Sequence, residues 1–264
     1  MRTYFLSIIF IAFIGLQGCK DGTGVFLFSL EDDRNLGAQV DEQIRTDPEF
    51  NILNRAGNEQ AYQYLEGMRD IILNSGEVRF EEEFDWQITI IEDDVLNAFV
   101  TPGGYMYFYT GIMKYLDDAS SLAGVMGHEI GHADRRHSSR RMQQQFGIQT
   151  LLQVATGGDP GLLAQVGAAL LQLQFSRADE TESDNQSVKY LCPTDFKTDG
   201  AASFFEKISE EGGAQTPQFL STHPNPDNRV ENIQEKANEA SCPNFESDPV
   251  INGLTYEQFK ALLP

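Results

Sequence analysis

His128-Glu129-Ile130-Gly131-His132 is the segment of this chain whose residue types and spacing specify a reaction. Imidazoles four residues apart project from one face of a helix, about one turn apart, and can bind a single ion. Zinc accepts such nitrogens at about 2.0–2.1 Å, and Glu129, offset around the helix, stands beside the ion rather than on it. A carboxylate so placed can take a proton from zinc-bound water. With only four histidines in 264 residues, chance assembly of the pattern is improbable. Two exposed helix histidines are the bland alternative. A purely structural zinc module would give Glu129 no purpose that a neutral residue would not serve.

A catalytic zinc takes three protein ligands, so a third acceptor must come from downstream. His137, five residues after His132, falls on a different face of a continuous helix and reads as a surface or interhelical hydrogen-bonding residue. His223 precedes Pro224 in a loop. Glu180, within Ser176-Arg177-Ala178-Asp179-Glu180, falls on a second long helix and reaches the metal if that helix packs antiparallel to the first. Cys192 and Cys242 are poor ligands, because neither has another Cys or His at metal-ligand spacing.

The elements that must hold these residues are legible as periodicities. Leu65, Met68, Ile71 and Ile72 predict a helix over 58–74. Trp86–Ile91 alternates as a strand. After the Pro102-Gly103-Gly104 turn a second strand runs from Tyr105 to Thr110, with Tyr105, Tyr107 and Tyr109 on one face and Met106 and Phe108 on the other. That alternation reads as half-buried sheet. Asp118 or Ser120 caps a helix expected from Ser121 through Arg141, which carries both histidines. Residues 146–171 are rich in Leu, Ala and Gln, and Gly157-Gly158-Asp159-Pro160-Gly161 cuts them into pieces too short to cross a bilayer. They predict a helical hairpin whose second helix runs from Leu162 to Leu191 as a buried core helix rather than a membrane-facing one. Further helices are expected over 200–211, 227–239 and 256–263. The sum is mainly α with a small β-sheet, an α+β class, and no internal repeat is visible at solenoid periods.

A formal charge of −21, spread along the chain, argues against a nucleic-acid partner, which needs clustered Lys and Arg. Residues 1–18 read as a signal peptide: Arg2 supplies the positive start and Phe5–Leu16 the apolar core. Leu16-Gln17-Gly18-Cys19 resembles a bacterial lipobox, which would make Cys19 the lipidated N-terminus, 19–28 a tether and 29–264 one domain; Gln17 is the unusual residue in that pattern. An ordinary signal peptide or an N-terminal anchor is the alternative, and either still exports the domain. Cys192 and Cys242 then form an even pair in an exported protein, for which a disulfide is plausible and two unpaired thiols the alternative.

Several ordered motifs together resemble the HtpX-like and CAAX-prenyl-protease-like gluzincins, metallopeptidase family 48. They are Asn97-Ala98-Phe99 with Pro102-Gly103-Gly104, Thr110-Gly111, the His-Glu-x-x-His helix, Ser176-Arg177-x-x-Glu180, and Ser221-Thr222-His223-Pro224 with Arg229. The resemblance covers about Asn97 to Arg229. It implies a zincin-like fold, one Zn2+ per chain and Glu180 as the third ligand beside His128 and His132. The family's Ala-Asp is here Ser183-Asp184, and Asp184 is implied to orient a ligand histidine. The loop with His223 and Arg229 is implied to lie near the metal, where either could donate to a tetrahedral oxyanion; Arg229 could instead pair with Asp184 or Glu182.

The expected activity is zinc-dependent endopeptidase action with Glu129 as base. Its expected substrates are unfolded or misassembled proteins of a bacterial cell envelope, met in the periplasm or at the cell surface by a domain lipid-anchored to the membrane. An extended peptide could add along a β edge somewhere in Asn97–Tyr109. A chaperone-like assembly factor with a latent zinc site is the alternative.

Overall fold

The computed structural model describes residues 26–210, 218–225, 228–243 and 248–264. The leader expected at 1–18, Cys19 and the tether as far as residue 25 lie outside them. In chain order the elements are α1 (Leu30–Thr46), α2 (Glu59–Leu73), β1 (Ile88–Ile91), β2 (Ala98–Thr101), a 3-10 turn (Pro102–Gly104), β3 (Tyr105–Tyr109), α3 (Thr110–Tyr115), α4 (Ala119–Asp134), α5 (His137–Phe146) and α6 (Ile148–Ala155). They continue with α7 (Pro160–Leu171), α8 (Arg177–Leu191), α9 (Gly200–Glu210), α10 (Phe219–Thr222), α11 (Arg229–Ala240) and α12 (Tyr256–Lys260). This is the expected class, mainly helical with a small sheet. Ser29, where the domain was expected to begin, caps α1: its Oγ accepts from Asp32 N at 3.1 Å, and Asp32 Oδ2 accepts from Ser29 N at 2.8 Å.

β3 is the central strand, parallel to β1 and antiparallel to β2. Gly103 and Gly104 turn the chain between β2 and β3 with φ of +79° and +88°, conformations that cost glycine little. The alternation along β3 sorts its side chains as read, Met106 and Phe108 into one core and the three tyrosines into another. Half-burial is corrected, however. All five residues are buried, because α1, α6 and α7 cover the tyrosine face while α2, α4 and α9 cover the other. The tyrosine hydroxyls find acceptors, Tyr107 at Asp41 (2.7 Å) and Tyr105 at Asp85 (3.0 Å).

Two long helices expected from the sequence are each broken. The helix from Ser121 through Arg141 is α4 and α5, separated at Arg136, whose φ is +57°. No Gly or Pro marks that break. It is held by tertiary contacts of the Arg136 guanidinium, which donates to Asp33 Oδ2 (2.5 Å), Phe28 O (2.6 Å) and Ser29 O (2.9 Å). The helix from Leu162 to Leu191 is α7 and α8, separated by 172–176. Ser176 begins α8 with a capping box, its Oγ accepting from Asp179 N at 3.1 Å and Asp179 Oδ2 accepting from Ser176 N at 2.9 Å. Nor is α7 a buried core helix: Val166 and Gly167 are buried, while Leu162, Leu163, Leu170 and Leu171 are half-buried. The cut at 157–161 is where the sequence put it, with Asp159 capping α7. No helix among the described residues is long and apolar enough to cross a membrane.

Every residue of α4 is buried. It lies against α8 through small residues: a Cβ on Gly127 would stand 2.7 Å from Ser187 Oγ, and one on Gly131 3.1 Å from Ser183 Cα. Ser187 Oγ also donates to Gly124 O at 2.8 Å. Cys192, at the end of α8, and Cys242, after α11, are joined in a disulfide with Cα atoms 5.2 Å apart, so the segment carrying α9, α10 and α11 is closed onto α8. A branched side chain at the helix contact should therefore act on both packing and site. Gly127→Val is expected to lower stability by roughly 1–3 kcal/mol in denaturant unfolding and to reduce metal content in parallel.

Candidate metal centre

α4 places His128 and His132 one turn apart, and α8, packed against it, brings Glu180 across from them. The loop after α10 supplies His223. Single donor atoms of these four buried residues lie within 4.8 Å of one another. His128 Nε2 stands 3.0 Å from His132 Nε2 and 3.3 Å from His223 Nδ1. Glu180 Oε1 is 3.3 Å from His132 Nε2 and 3.1 Å from His223 Nδ1. Neighbouring corners of a tetrahedron with bonds of about 2.0–2.1 Å are about 3.3–3.4 Å apart, so these separations fit one shared cation. Three converging imidazole nitrogens and a carboxylate also concentrate lone pairs that a cation would satisfy.

Glu129 is 1 % exposed, and among the described residues neither of its carboxylate oxygens has a hydrogen-bond donor. His223 Nε2 lies 3.6 Å from its Oε1. Burial raises the pKa of its carboxyl, opposed by positive charge at His223 and His128. A buried, unpaired carboxylate with raised proton affinity is what a proton acceptor beside a metal requires.

The two histidines of α4 are held differently. His128 Nδ1 is 2.8 Å from Asp184 Oδ1, which fixes the ring and directs Nε2 into the cluster. Arg229 grips the same carboxylate with two bonds, Nε to Oδ2 and Nη2 to Oδ1, each 2.8 Å, and reaches Glu180 Oε2 at 3.1 Å. Arg229 is thus paired with Asp184, one of the two acids the sequence offered, and its guanidinium lies over the Phe205 ring at 3.9 Å. Burial opposes ionisation of Glu180 and Asp184. Glu180 is nevertheless held well below the usual carboxylate range by the charge of His223 and by hydrogen bonds from His128, His132 and His223. Asp184 is lowered by the charge of Arg229 and its bond to His128. Burial also opposes protonation of His128, but Asp184 and Glu180 push its pKa up to about 9. Burial and its neighbour His128 depress that of His132, despite Glu180.

His132 has a partner that sequence reasoning misplaced. On a continuous helix His137 faces elsewhere, but the left-handed turn at Arg136 swings it beneath His132, with the two Nδ1 atoms 3.0 Å apart. His137 Nε2 lies 3.3 Å from Glu182 Oε2. If His132 Nε2 faces a metal, its Nδ1–H donates to His137 Nδ1, and His137 Nε2–H donates to Glu182. The signal for this role was absent because the break at Arg136 is tertiary. Phe175 was missed as well. It lies in the 172–176 break with its ring centroid 3.9 Å from that of His132, and the capping box at Ser176 could have revealed the break. Loss of the His137 acceptor in His137→Leu should weaken metal affinity by about 10–100-fold in a chelator-competition titration, with His137→Gln recovering part of it.

Comparison with known proteins agrees with this geometry. Residues 63–237 match the model of peptidase family M48. The chain is 30% identical over 144 residues to a mitochondrial metalloendopeptidase OMA1 of Arabidopsis thaliana, covering 54% of this chain and 30% of that protein. It is 31% identical over 166 residues to a beta-barrel assembly-enhancing protease of Escherichia coli, covering 57% of this chain and 34% of that protein. A Yersinia pestis protein of the same name is 27% identical over 195 residues, 67% of this chain and 39% of that protein. The chain therefore spans about a third of the length of these curated relatives. A cluster of imidazole and carboxylate donors on α4, α8 and the loop after α10, and a family match over most of the chain, lead to one conclusion: the chain belongs to peptidase family M48.

Proposed function

We propose that the chain is a zinc-dependent endopeptidase with His128, His132 and Glu180 as metal ligands and Glu129 as general base. The observation that carries this reading is Glu129, buried and without a hydrogen-bond partner beside a cluster of imidazole and carboxylate donors. That donor set suits zinc, a borderline-soft ion commonly held by His nitrogen and Glu oxygen. Zinc, when bound, supplies a Lewis acid that acidifies water and polarises a carbonyl. Glu129 takes the proton of the attacking water and delivers it to the leaving amine. Asp184 and Arg229 hold His128 and Glu180 in place. Relatives named as endopeptidases and as proteases that enhance β-barrel assembly support polypeptide substrates, and we place these among unfolded or misassembled envelope proteins. Cys19 would carry the lipid that anchors the domain at 29–264 to the membrane, in the periplasm or at the cell surface.

His223 favours a second reading, a latent site in an assembly factor. Its Nδ1 faces the donor set, and four protein donors close a zinc site that catalysis needs open. That orientation also leaves only Nε2, directed at Glu129, for the oxyanion role expected of it.

Hydrolysis of casein by the zinc-loaded chain should fall by at least about 100-fold in Glu129→Gln with zinc content unchanged; full activity in that variant would remove Glu129 as base. Glu180→Ala should lower zinc occupancy, and unchanged occupancy would transfer the third-ligand role to His223. Metabolic labelling with a palmitate analogue is expected to disappear in Cys19→Ser, and labelling that persists would sink the lipid anchor.

A further inference from the structure

Asp33, on α1, is 1 % exposed and stands outside the donor cluster. A carboxylate is costly to bury unless it is paired and hydrogen-bonded, and both oxygens of Asp33 are engaged at the start of α5. Its Oδ2 accepts from Arg136 Nε and its Oδ1 from Ser139 Oγ, each at 2.5 Å. His137 lies between those two residues. A buried acid of α1 therefore holds the chain on both sides of the histidine that stands under His132.

The link between α4 and α5 makes such a hold necessary. Arg135 and Arg136 alone join the two helices, so the direction of α5 is set by what it touches. The left-handed conformation of Arg136, with φ of +57°, is unfavourable for a residue with a Cβ. Without an outside contact the link would relax toward continuous helix and carry His137 away from His132. The tolerance is small: the two Nδ1 atoms are 3.0 Å apart, and a hydrogen bond is lost by about 3.6 Å. Arg141 ties α5 to Asp179 of α8 at 2.7 Å, and Asp33 ties its first turn to α1. The base of that tie is itself fixed, because α1 lies so close to the turn after β2 that a Cβ on Gly37 would stand 1.9 Å from Pro102 O. The family match begins at residue 63, so Asp33 belongs to a part of the chain that the match does not cover.

We infer that Asp33 is a positioning residue of the metal centre: through Arg136 and Ser139 it fixes His137, and through His137 it fixes the ring and tautomer of His132. The inference rests on the reading of His132 as a zinc ligand. It makes the affinity for the metal depend on α1, whose acid stands 103 residues before the arginine it holds. Arg136 Nη2 extends that dependence to the residues ahead of α1, donating to Phe28 O at 2.6 Å and Ser29 O at 2.9 Å.

The test measures zinc affinity of the full chain by chelator competition, with denaturant unfolding of the same samples. Asp33→Asn should weaken zinc binding by about 2–30-fold. Combined with His137→Leu it should add nothing to the loss His137→Leu causes alone, because both act through one contact. Arg136→Gly keeps the left-handed turn at no steric cost and loses the guanidinium; it should reproduce the Asp33→Asn result, including the non-additivity, and carries the test if Asp33→Asn does not fold. Tyr107→Phe removes a different buried hydrogen bond to α1, the one to Asp41, and should lower stability with zinc affinity unchanged. Native affinity in both Asp33→Asn and Arg136→Gly overturns the inference. So do losses that add to that of His137→Leu, or an equal loss in Tyr107→Phe. His132→Ala is scored separately. Zinc binding as tight as native in that variant would remove His132 as a ligand and this inference with it, whereas a loss there with none in Asp33→Asn or Arg136→Gly would keep the ligand and remove the positioning role.

Discussion

The site depends on how closely α4 and α8 approach. Metal ligands on different helices share an ion only if the backbones come near enough for short side chains to meet, and here Gly127 and Gly131 face Ser187 and Ser183. Glycine inside a helix costs about 0.5–1 kcal/mol relative to Ala, and α4 carries three of them. What offsets that cost is the contact they permit. With α8 at this distance, Glu180 reaches His128 and His132, and Asp184, one turn on, reaches the back of His128. One packing contact places both the Glu180 carboxylate and the Asp184 carboxylate that orients His128.

The charge balance follows from that geometry. Glu129, Glu180 and Asp184 are buried together with Arg229 and three ring systems of histidine. Arg229 serves Asp184 and touches Glu180, and Glu129 receives nothing. Buried charge without a partner is costly, and a divalent cation held by the imidazole and Glu180 donors would add positive charge beside all three carboxylates. The same arrangement leaves Glu129 without a hydrogen-bond donor among the described residues, and burial keeps its proton affinity raised. Stability and reactivity are separated between neighbouring acids by how many donors each receives.

What could be read from the sequence was local. The His-Glu-x-x-His spacing names two ligands and a base because a helix has one period, and the alternation along 105–109 sorts β3 between two cores for the same kind of reason. Glu180, Asp184 and the loop of His223 and Arg229 needed a family resemblance, since their approach depends on packing between elements far apart in sequence. The breaks at Arg136 and at 172–176 escaped prediction for different reasons. Ser176 and Asp179 do carry a capping box, but the apolar run ahead of them reads as continuing helix. Arg136 carries no local signal at all: a left-handed arginine costs roughly 1–2 kcal/mol, and contacts with Asp33, Phe28 and Ser29, over a hundred residues earlier, hold it. That tertiary turn is why His137, which sits on the wrong face of an ideal helix, stands under His132.

The 172–176 break, the His223 loop and the residues before β2 form one connected structure around the donor cluster. Phe175 N donates to Thr222 O at 3.1 Å, the Phe175 ring lies on His132, and the His223 ring stacks on Phe219 with centroids 4.2 Å apart. Phe219 N in turn donates to Leu96 O, next to Asn97. The segment that places His223 Nδ1 among the donors is therefore joined by backbone hydrogen bonds to both the 172–176 break and the residues just before β2. A shift of the stretch around Leu96 or of the 172–176 break would therefore bear on the residues that fix His223. The position of His223 is thus set by these local contacts, without a long-range pathway, and the disulfide between Cys192 and Cys242 limits how far that segment can travel.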